Sequence, residues 1–137
     1  MSKSFQNAFL LTLTVLIIGF SISALTYSLD ISFSFITEPT PTSFFEIFFH
    51  NSIFIAIYAI PVFGFVYFVY SFTVIFIAIG LLFLNKGILY TLIHLIHLPF
   101  ELFAFALVIS MGINYERKNF FIAIAVLFIS AFIEFYI

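Results

Sequence analysis

Residues 52–84 have the sequence SIFIAIYAIPVFGFVYFVYSFTVIFIAIGLLFL, which contains no charged residue and no histidine. A straight α-helix of this length would be about 50 Å long, whereas the hydrocarbon core of a bilayer is about 30 Å thick and is crossed by about 20 helical residues. The stretch is therefore too long for one upright membrane span. Two interpretations stay open: two spans over 52–69 and 72–84 with a tight reversal at Tyr70–Ser71, or one helix bent at Pro61.

The composition of the whole chain indicates that its surface faces lipid. Of its 137 residues, 65% are hydrophobic, 23% are aromatic and only 7% are charged. A soluble domain normally has about a quarter of its residues charged, so an apolar surface of this extent belongs in a bilayer. We predict an all-α fold, a polytopic transmembrane helix bundle that forms a single domain over residues 1–137.

Three further apolar segments predict membrane spans over 8–29, 87–113 and 120–137. Residues 44–50, with the sequence FFEIFFH, predict a short interfacial helix that precedes the central apolar stretch. If the central stretch forms two spans, the chain crosses the membrane about five times. If the central stretch is one bent helix, the chain crosses four times.

The positively charged residues favour five spans over four. Lysine and arginine are enriched in cytoplasmic loops. Five spans with a cytoplasmic N-terminus place Lys3, Arg117 and Lys118 in the cytoplasm and only Lys86 outside, whereas four spans divide these residues equally. We therefore expect a multi-pass protein of the cell membrane, with its C-terminus outside and Glu134 near the far interface.

The charge balance and the absent residue types exclude several classes of function. Four basic and six acidic residues give a net charge of −2, so the chain has no basic surface for nucleic acid. The absence of cysteine excludes disulfides, thiolate zinc sites and thiol nucleophiles. The five glycines are scattered and form no phosphate-binding loop. We therefore expect no cofactor and no enzymatic activity. We expect the lipid bilayer to be the immediate surroundings of the protein.

The segment HLIHLPFE, residues 94–101, is the most polar part of an otherwise apolar region. On a helix, spacings of three and four residues place His94, His97 and Glu101 on one stripe. Ionisable groups at bilayer depth are costly and usually face a bundle interior, a cavity or one another. Pro99 is expected to break the helix here, because a proline inside a helix leaves a backbone carbonyl without its amide donor.

Three roles for this stripe stay open. It is a polar clamp if Glu101 accepts a hydrogen bond from His97 or from an asparagine on a neighbouring helix. It is a proton or ion pathway if the imidazoles and the carboxylate exchange protons. It is a metal site if His94, His97 and Glu101 supply two nitrogens and an oxygen to a divalent ion such as zinc. Asn51 is correspondingly either a helix cap at the headgroup level or the partner of Glu101.

Two parts of the chain are similar to motifs of a known family of membrane proteins. The first comprises Phe48–Ile53 (FFHNSI), which opens a helix, and the later Gly-aromatic step in Val62–Phe65 (VFGF). The second is His97–Ala104 (HLPFELFA), which keeps the His, Glu, Leu and Ala of a family segment at the family's spacing. On these motifs the chain resembles the stage II sporulation protein M family, and departs from it where Ile96 replaces a proline and Leu98 replaces a glycine.

The resemblance implies about five spans and a polar core formed by Asn51, His97 and Glu101. It also implies a scaffold or anchor that acts with partner membrane proteins and cell-wall hydrolases in sporulation, or in the maturation, export or immunity of circular bacteriocins. We therefore expect a non-enzymatic membrane component that forms a homo-oligomer or binds other membrane proteins, with a peptide or cell-wall enzymes as further partners. The alternative is a proton, ion or small-solute transporter or channel subunit that uses His94, His97 and Glu101.

Overall fold

A computed structural model describes residues 2–29, 43–114 and 118–137, and these residues form six α-helices and no strand. In chain order the helices are α1 (Lys3–Ser28), α2 (Phe44–Tyr58), α3 (Phe63–Lys86), α4 (Ile88–His94), α5 (Leu98–Asn114) and α6 (Lys118–Tyr136). Helices α1, α3 and α6 are each long and apolar enough to cross a membrane. Helices α4 and α5, which are bent by 49° relative to each other, together make a fourth candidate span.

The prediction of an all-α bundle with membrane-spanning helices is confirmed, but the division of the central apolar stretch is wrong. No reversal occurs at Tyr70–Ser71, because α3 continues through both residues. The Ser71 hydroxyl donates to the Tyr67 carbonyl one turn earlier at 2.8 Å, so a serine here satisfies its own hydrogen bond without ending the helix. Within the described residues, three helices are candidate spans by length and composition, or four if α4 and α5 are counted as one bent span. The alternative of one bent helix over residues 52–84 is wrong as well, because α2 and α3 are separate helices.

The chain reverses earlier, between α2 and α3, at the proline that was expected to bend one helix. The Phe63 N–H donates to the Pro61 carbonyl at 2.7 Å across Val62, whose φ of 65° and ψ of −59° are those of the rare γ-turn. A Cβ on Gly64 would lie 2.4 Å from the Tyr58 carbonyl oxygen, so only glycine lets α3 begin this close to α2. The predicted interfacial helix 44–50 accordingly extends to Tyr58 as part of α2.

The outer spans of the prediction agree more closely with the structure. The expected spans 8–29 and 120–137 correspond to α1 and α6, whose first turns contain the topology residues Lys3 and Lys118. Arg117, the third residue expected to set the topology, lies outside the described residues. The expected span 87–113 is instead two helices, α4 and α5.

Helix α5 lies at the centre of the bundle. Leu102 and every residue from Ala104 to Ser110 are buried, and α5 contacts α1, α2 and α6. Its aromatic residue Phe105 packs its ring edge to face against Tyr58 of α2, with the centroids 4.9 Å apart. The first turn of α5 holds Glu101, so the helix with the most buried residues also carries a carboxyl group into the bundle.

Helices α1 and α3 approach closely because small residues face each other. A Cβ on Gly19 would lie 2.2 Å from the Phe76 ring, and one on Gly80 would lie 2.6 Å from the Ser23 carbonyl oxygen. The Ser23 hydroxyl donates to the Phe76 carbonyl of α3 at 2.6 Å. Small residues and an interhelical hydrogen bond are the usual basis of helix association in a bilayer.

We predict that Gly80→Leu separates α1 from α3 and lowers the free energy of unfolding by about 1–3 kcal/mol, because a side chain there meets the backbone of Ser23. The measurement is the midpoint of unfolding in mixed detergent micelles, followed by circular dichroism. Ala24→Leu adds a similar volume at an exposed position of α1 and should leave the midpoint nearly unchanged. An unchanged midpoint in Gly80→Leu would contradict the close approach of the two helices.

Candidate functional site

The break between α4 and α5 positions the candidate site. Helix α4 ends at His94, and the Leu98 N–H donates to the Leu95 carbonyl at 3.0 Å. Pro99 lies in the first turn of α5, where a missing N–H costs no helical hydrogen bond. The N–H groups of Phe100 and Glu101 both donate to the His97 carbonyl. The expected break near Pro99 is therefore present, and it falls just before the proline.

The break separates the two histidines that were expected to share a stripe. His94 remains on α4, where its side chain is exposed and its ring stacks on Tyr90 with centroids 4.1 Å apart. Its Nδ1 hydrogen-bonds the Tyr90 carbonyl at 2.8 Å. The expected alignment of His94 with His97 and Glu101 on one helical stripe is therefore wrong, because the helix axis changes direction between residues 94 and 98.

Glu134, and not His94, is the third residue of the group that contains His97 and Glu101. Ligand atoms of His97, Glu101 and Glu134 all lie within 4.8 Å of one another. His97 Nε2 is 3.9 Å from Glu134 Oε2. The structure brings Glu134 from the last turns of α6 to the first turn of α5, a contact that the sequence did not predict.

Asn51 contacts this group from a third helix. Its Nδ2 donates a hydrogen bond to Glu101 Oε1 across α2 and α5. The alternative of a helix cap is wrong, because α2 begins at Phe44 and its N-cap is Ser43, which accepts the Glu46 N–H at 3.2 Å. Asn51 therefore lies in the middle of a helix, where its amide is available to a neighbouring helix.

A further contact holds the backbone at His97. The Ser130 hydroxyl of α6 donates to the His97 carbonyl at 3.1 Å. Ser130 also lies near the Glu101 carboxyl group. We call Asn51, His97, Glu101, Ser130 and Glu134 the polar cluster. It joins α2, α5 and α6 at the helix break.

A cavity of about 440 Å³ adjoins the polar cluster on the side of α2 and α3. Asn51 and Glu101 form part of its wall. Its other polar lining residues are His50, Tyr58, Tyr67, Tyr70 and Ser71. The cavity is open to the surface of the bundle, because its wall includes the exposed residue Tyr70. It places hydroxyl, amide and imidazole groups beside the Glu101 carboxyl group.

Only three of the five residues in the polar cluster were predicted from the sequence. Asn51, His97 and Glu101 were expected together and are found together. Ser130 and Glu134 were missed, because their closeness to His97 depends on how α6 packs against α5. The available signal was Glu134 itself, the only charged residue after Lys118.

We predict that the hydrogen bond between Asn51 and Glu101 is worth about 0.5–2 kcal/mol, the range found for side-chain hydrogen bonds between membrane helices. The measurement is a double-mutant cycle of Asn51→Leu and Glu101→Leu, with the free energy of unfolding determined in mixed micelles. His94→Leu in place of Glu101→Leu is the matched control and should show no coupling to Asn51→Leu. Additive effects of Asn51→Leu and Glu101→Leu would contradict the contact.

No protein-family model, curated protein or solved structure matches the chain. Membership of the stage II sporulation protein M family stays a prediction from the two groups of motifs in the sequence. The features of the protein that bear on its function are the polar cluster, the cavity and the outer surface of the bundle.

Proposed function

We propose that the protein is a non-enzymatic membrane component, similar to stage II sporulation protein M, that acts as a scaffold or anchor in a multiprotein membrane complex. The observation that carries the proposal is the polar cluster, which joins three helices through Glu101 and its neighbours. Polar contacts between helices are directional, so they hold the bundle in one arrangement and present its outer faces in a fixed geometry.

The outer faces of the bundle offer apolar surface to lipid and to partner helices. Ile17 of α1 is 69% exposed, and Phe121 of α6 is 75% exposed. Apart from Lys3 and Lys118, which lie in their first turns, α1 and α6 carry a single charged residue, Glu134. In a bilayer, such faces associate with other helices by packing and not by a hydrophobic driving force. This surface supports a homo-oligomer or a complex with other membrane proteins.

The location and the biological process belong to the same proposal. We place the protein in the cell membrane as a multi-pass protein, because three of its described helices are long and apolar enough to span a bilayer. A cytoplasmic N-terminus and an external C-terminus are the orientation that the positive charges favour if the number of spans is odd. The resemblance favours sporulation with cell-wall remodelling, or the maturation, export or immunity of a circular bacteriocin. In either process the reaction itself would be performed by a partner, a cell-wall enzyme or a peptide-processing protein.

We predict that a photo-crosslinking residue at position 17 or 121 captures a specific membrane-protein partner in the native membrane. Glu101→Leu should lower the amount of captured partner several-fold, because a looser bundle no longer presents one surface. The measurement is mass spectrometry of the crosslinked species, normalised to the amount of the protein in the membrane. His94→Leu, which changes a nearby exposed residue outside the polar cluster, should capture the partner as the wild type does. Crosslinks to identical copies alone would contradict the scaffold proposal.

The cavity favours a second candidate function, a proton, ion or small-solute pathway. Its volume of about 440 Å³ accommodates several waters, and Asn51, Glu101 and the tyrosine hydroxyls offer them hydrogen bonds. Intramembrane carboxyl and imidazole groups beside water mark proton and ion routes in many membrane proteins. His97 and Glu101 would carry this function, whereas His94 lies outside the cluster and would not.

For this candidate we predict a proton or cation flux into liposomes that contain the purified protein. Glu101→Gln should abolish the flux, because the amide keeps the shape of the side chain and cannot exchange a proton at neutral pH. The measurement uses a pH-sensitive dye inside the vesicles, with His94→Gln as a control that retains flux. A correctly folded wild-type protein without flux would contradict the pathway and leave the scaffold proposal intact.

A further inference from the structure

The polar cluster combines one imidazole and two carboxyl groups at a single point. Ligand atoms of His97, Glu101 and Glu134 lie within 4.8 Å of one another, and each residue comes from a different part of the local structure. His97 lies in the break, Glu101 in the first turn of α5 and Glu134 near the end of α6. Tertiary packing therefore adds Glu134 to a His97 and Glu101 pair that is already close in the sequence.

We infer that His97, Glu101 and Glu134 form a binding site for a divalent first-row transition metal ion, of which zinc is the best match. Zinc takes imidazole nitrogen and carboxylate oxygen as ligands, with bonds of about 2 Å and about 3.3 Å between ligand atoms in a tetrahedral site. The present separations reach this geometry after shifts of about 1 Å in flexible glutamate side chains.

Charge balance supports a cation at this position. When a divalent cation binds, both carboxyl groups release their protons, and the two negative charges so formed balance the charge of the ion. An unpaired charge inside a bundle is costly, whereas a charge that coordinates a metal ion is accommodated. The basic side chain in contact with Glu134 is the imidazole of His97, at 3.9 Å, and neutral imidazole is a common metal ligand.

The groups around the three ligands have the arrangement found in metal sites. The Ser130 hydroxyl donates to the His97 carbonyl and holds the backbone of this ligand in place, and His97 Nε2 lies 3.9 Å from Glu134. Asn51 donates to one carboxyl oxygen of Glu101 and holds that side chain in place. Hydrogen bonds that orient ligands in this way commonly raise metal affinity by about 10–100-fold.

The site is also accessible. The Glu134 side chain is 31% exposed and the His97 side chain is 13% exposed, so an ion can reach the cluster from the outer surface near the end of α6. Three protein ligands leave a fourth position for water. The bound ion would connect α5 to α6 and would be independent of whether the protein has a partner.

The test uses the full chain, purified in detergent through a tag without histidine, loaded with Zn²⁺ and dialysed. We expect one zinc per chain by elemental analysis and a higher unfolding temperature in the presence of Zn²⁺. Glu134→Gln should lower the affinity more than about 100-fold, and Asn51→Leu by about 10–100-fold. His94→Gln is the matched control and should bind zinc as the wild type does, because His94 lies outside the cluster.

A second measurement uses only the wild-type protein, so its result does not depend on how well the variants fold. Wild-type protein loaded with Co²⁺ should show visible d–d absorption bands, which are abolished by excess Zn²⁺. A helical, monodisperse wild type that binds no stoichiometric zinc and shows no such bands would overturn the inference. An equal loss of zinc in His94→Gln and Glu134→Gln would also overturn it. Neither result bears on the crosslinking of a partner, so this inference and the scaffold proposal fail independently.

Discussion

The arrangement of the helices depends on the carboxyl group of Glu101. Glu101 enters the bundle on the most buried helix, immediately before Leu102, which has no exposed surface. An unsatisfied polar group in hydrocarbon costs several kcal/mol, so α5 can occupy the centre only if its neighbours supply partners. Asn51 of α2 donates a hydrogen bond to Glu101, and Ser130 of α6 donates one to the His97 carbonyl at the start of α5. These contacts fix the register of two helices relative to α5.

Aromatic packing provides the complementary, less directional part of the same arrangement. The ring of Phe105 lies one turn after Glu101 and contacts Phe54 and Tyr58 of α2 as well as Phe72 of α3. Edge-to-face pairs of this kind add about 0.5–1.5 kcal/mol each beyond the burial of area. Phenylalanine can pack in several registers, whereas the hydrogen bond of Asn51 to Glu101 allows one. The polar contacts therefore select among arrangements that the aromatic rings stabilise.

How far the sequence predicts this structure differs from element to element. Helices α1 and α6 follow from apolar stretches bounded by polar residues, and their predicted limits are within a few residues of the observed ones. The division between α2 and α3 was misplaced, because an apolar stretch without periodic polar residues gives no indication of where a helix ends. The turn at Pro61 and Val62 depends on a positive φ at a β-branched residue, which propensities do not predict.

The residues of the site, like the helices, could be predicted from the sequence only in part. Asn51, His97 and Glu101 could be grouped from their types and from the resemblance, since few polar residues interrupt the apolar stretches. His94 was grouped with them because of helical spacing. This spacing places residues on one face only within a continuous helix, and the helix breaks before Pro99. Ser130 and Glu134 could not be assigned, because the contact between α5 and α6 joins residues 33 positions apart in the case of Ser130 and His97.

The order of the cluster along the chain has a consequence for biogenesis. A membrane protein is inserted as it is synthesised, from the N-terminus onward, so Glu101 enters the bilayer before Ser130 and Glu134 have been made. Asn51 lies fifty residues upstream of Glu101 and is already in the membrane at that moment. Among the members of the cluster on other helices, Asn51 is therefore synthesised before Glu101, whereas both members on α6 are synthesised after it.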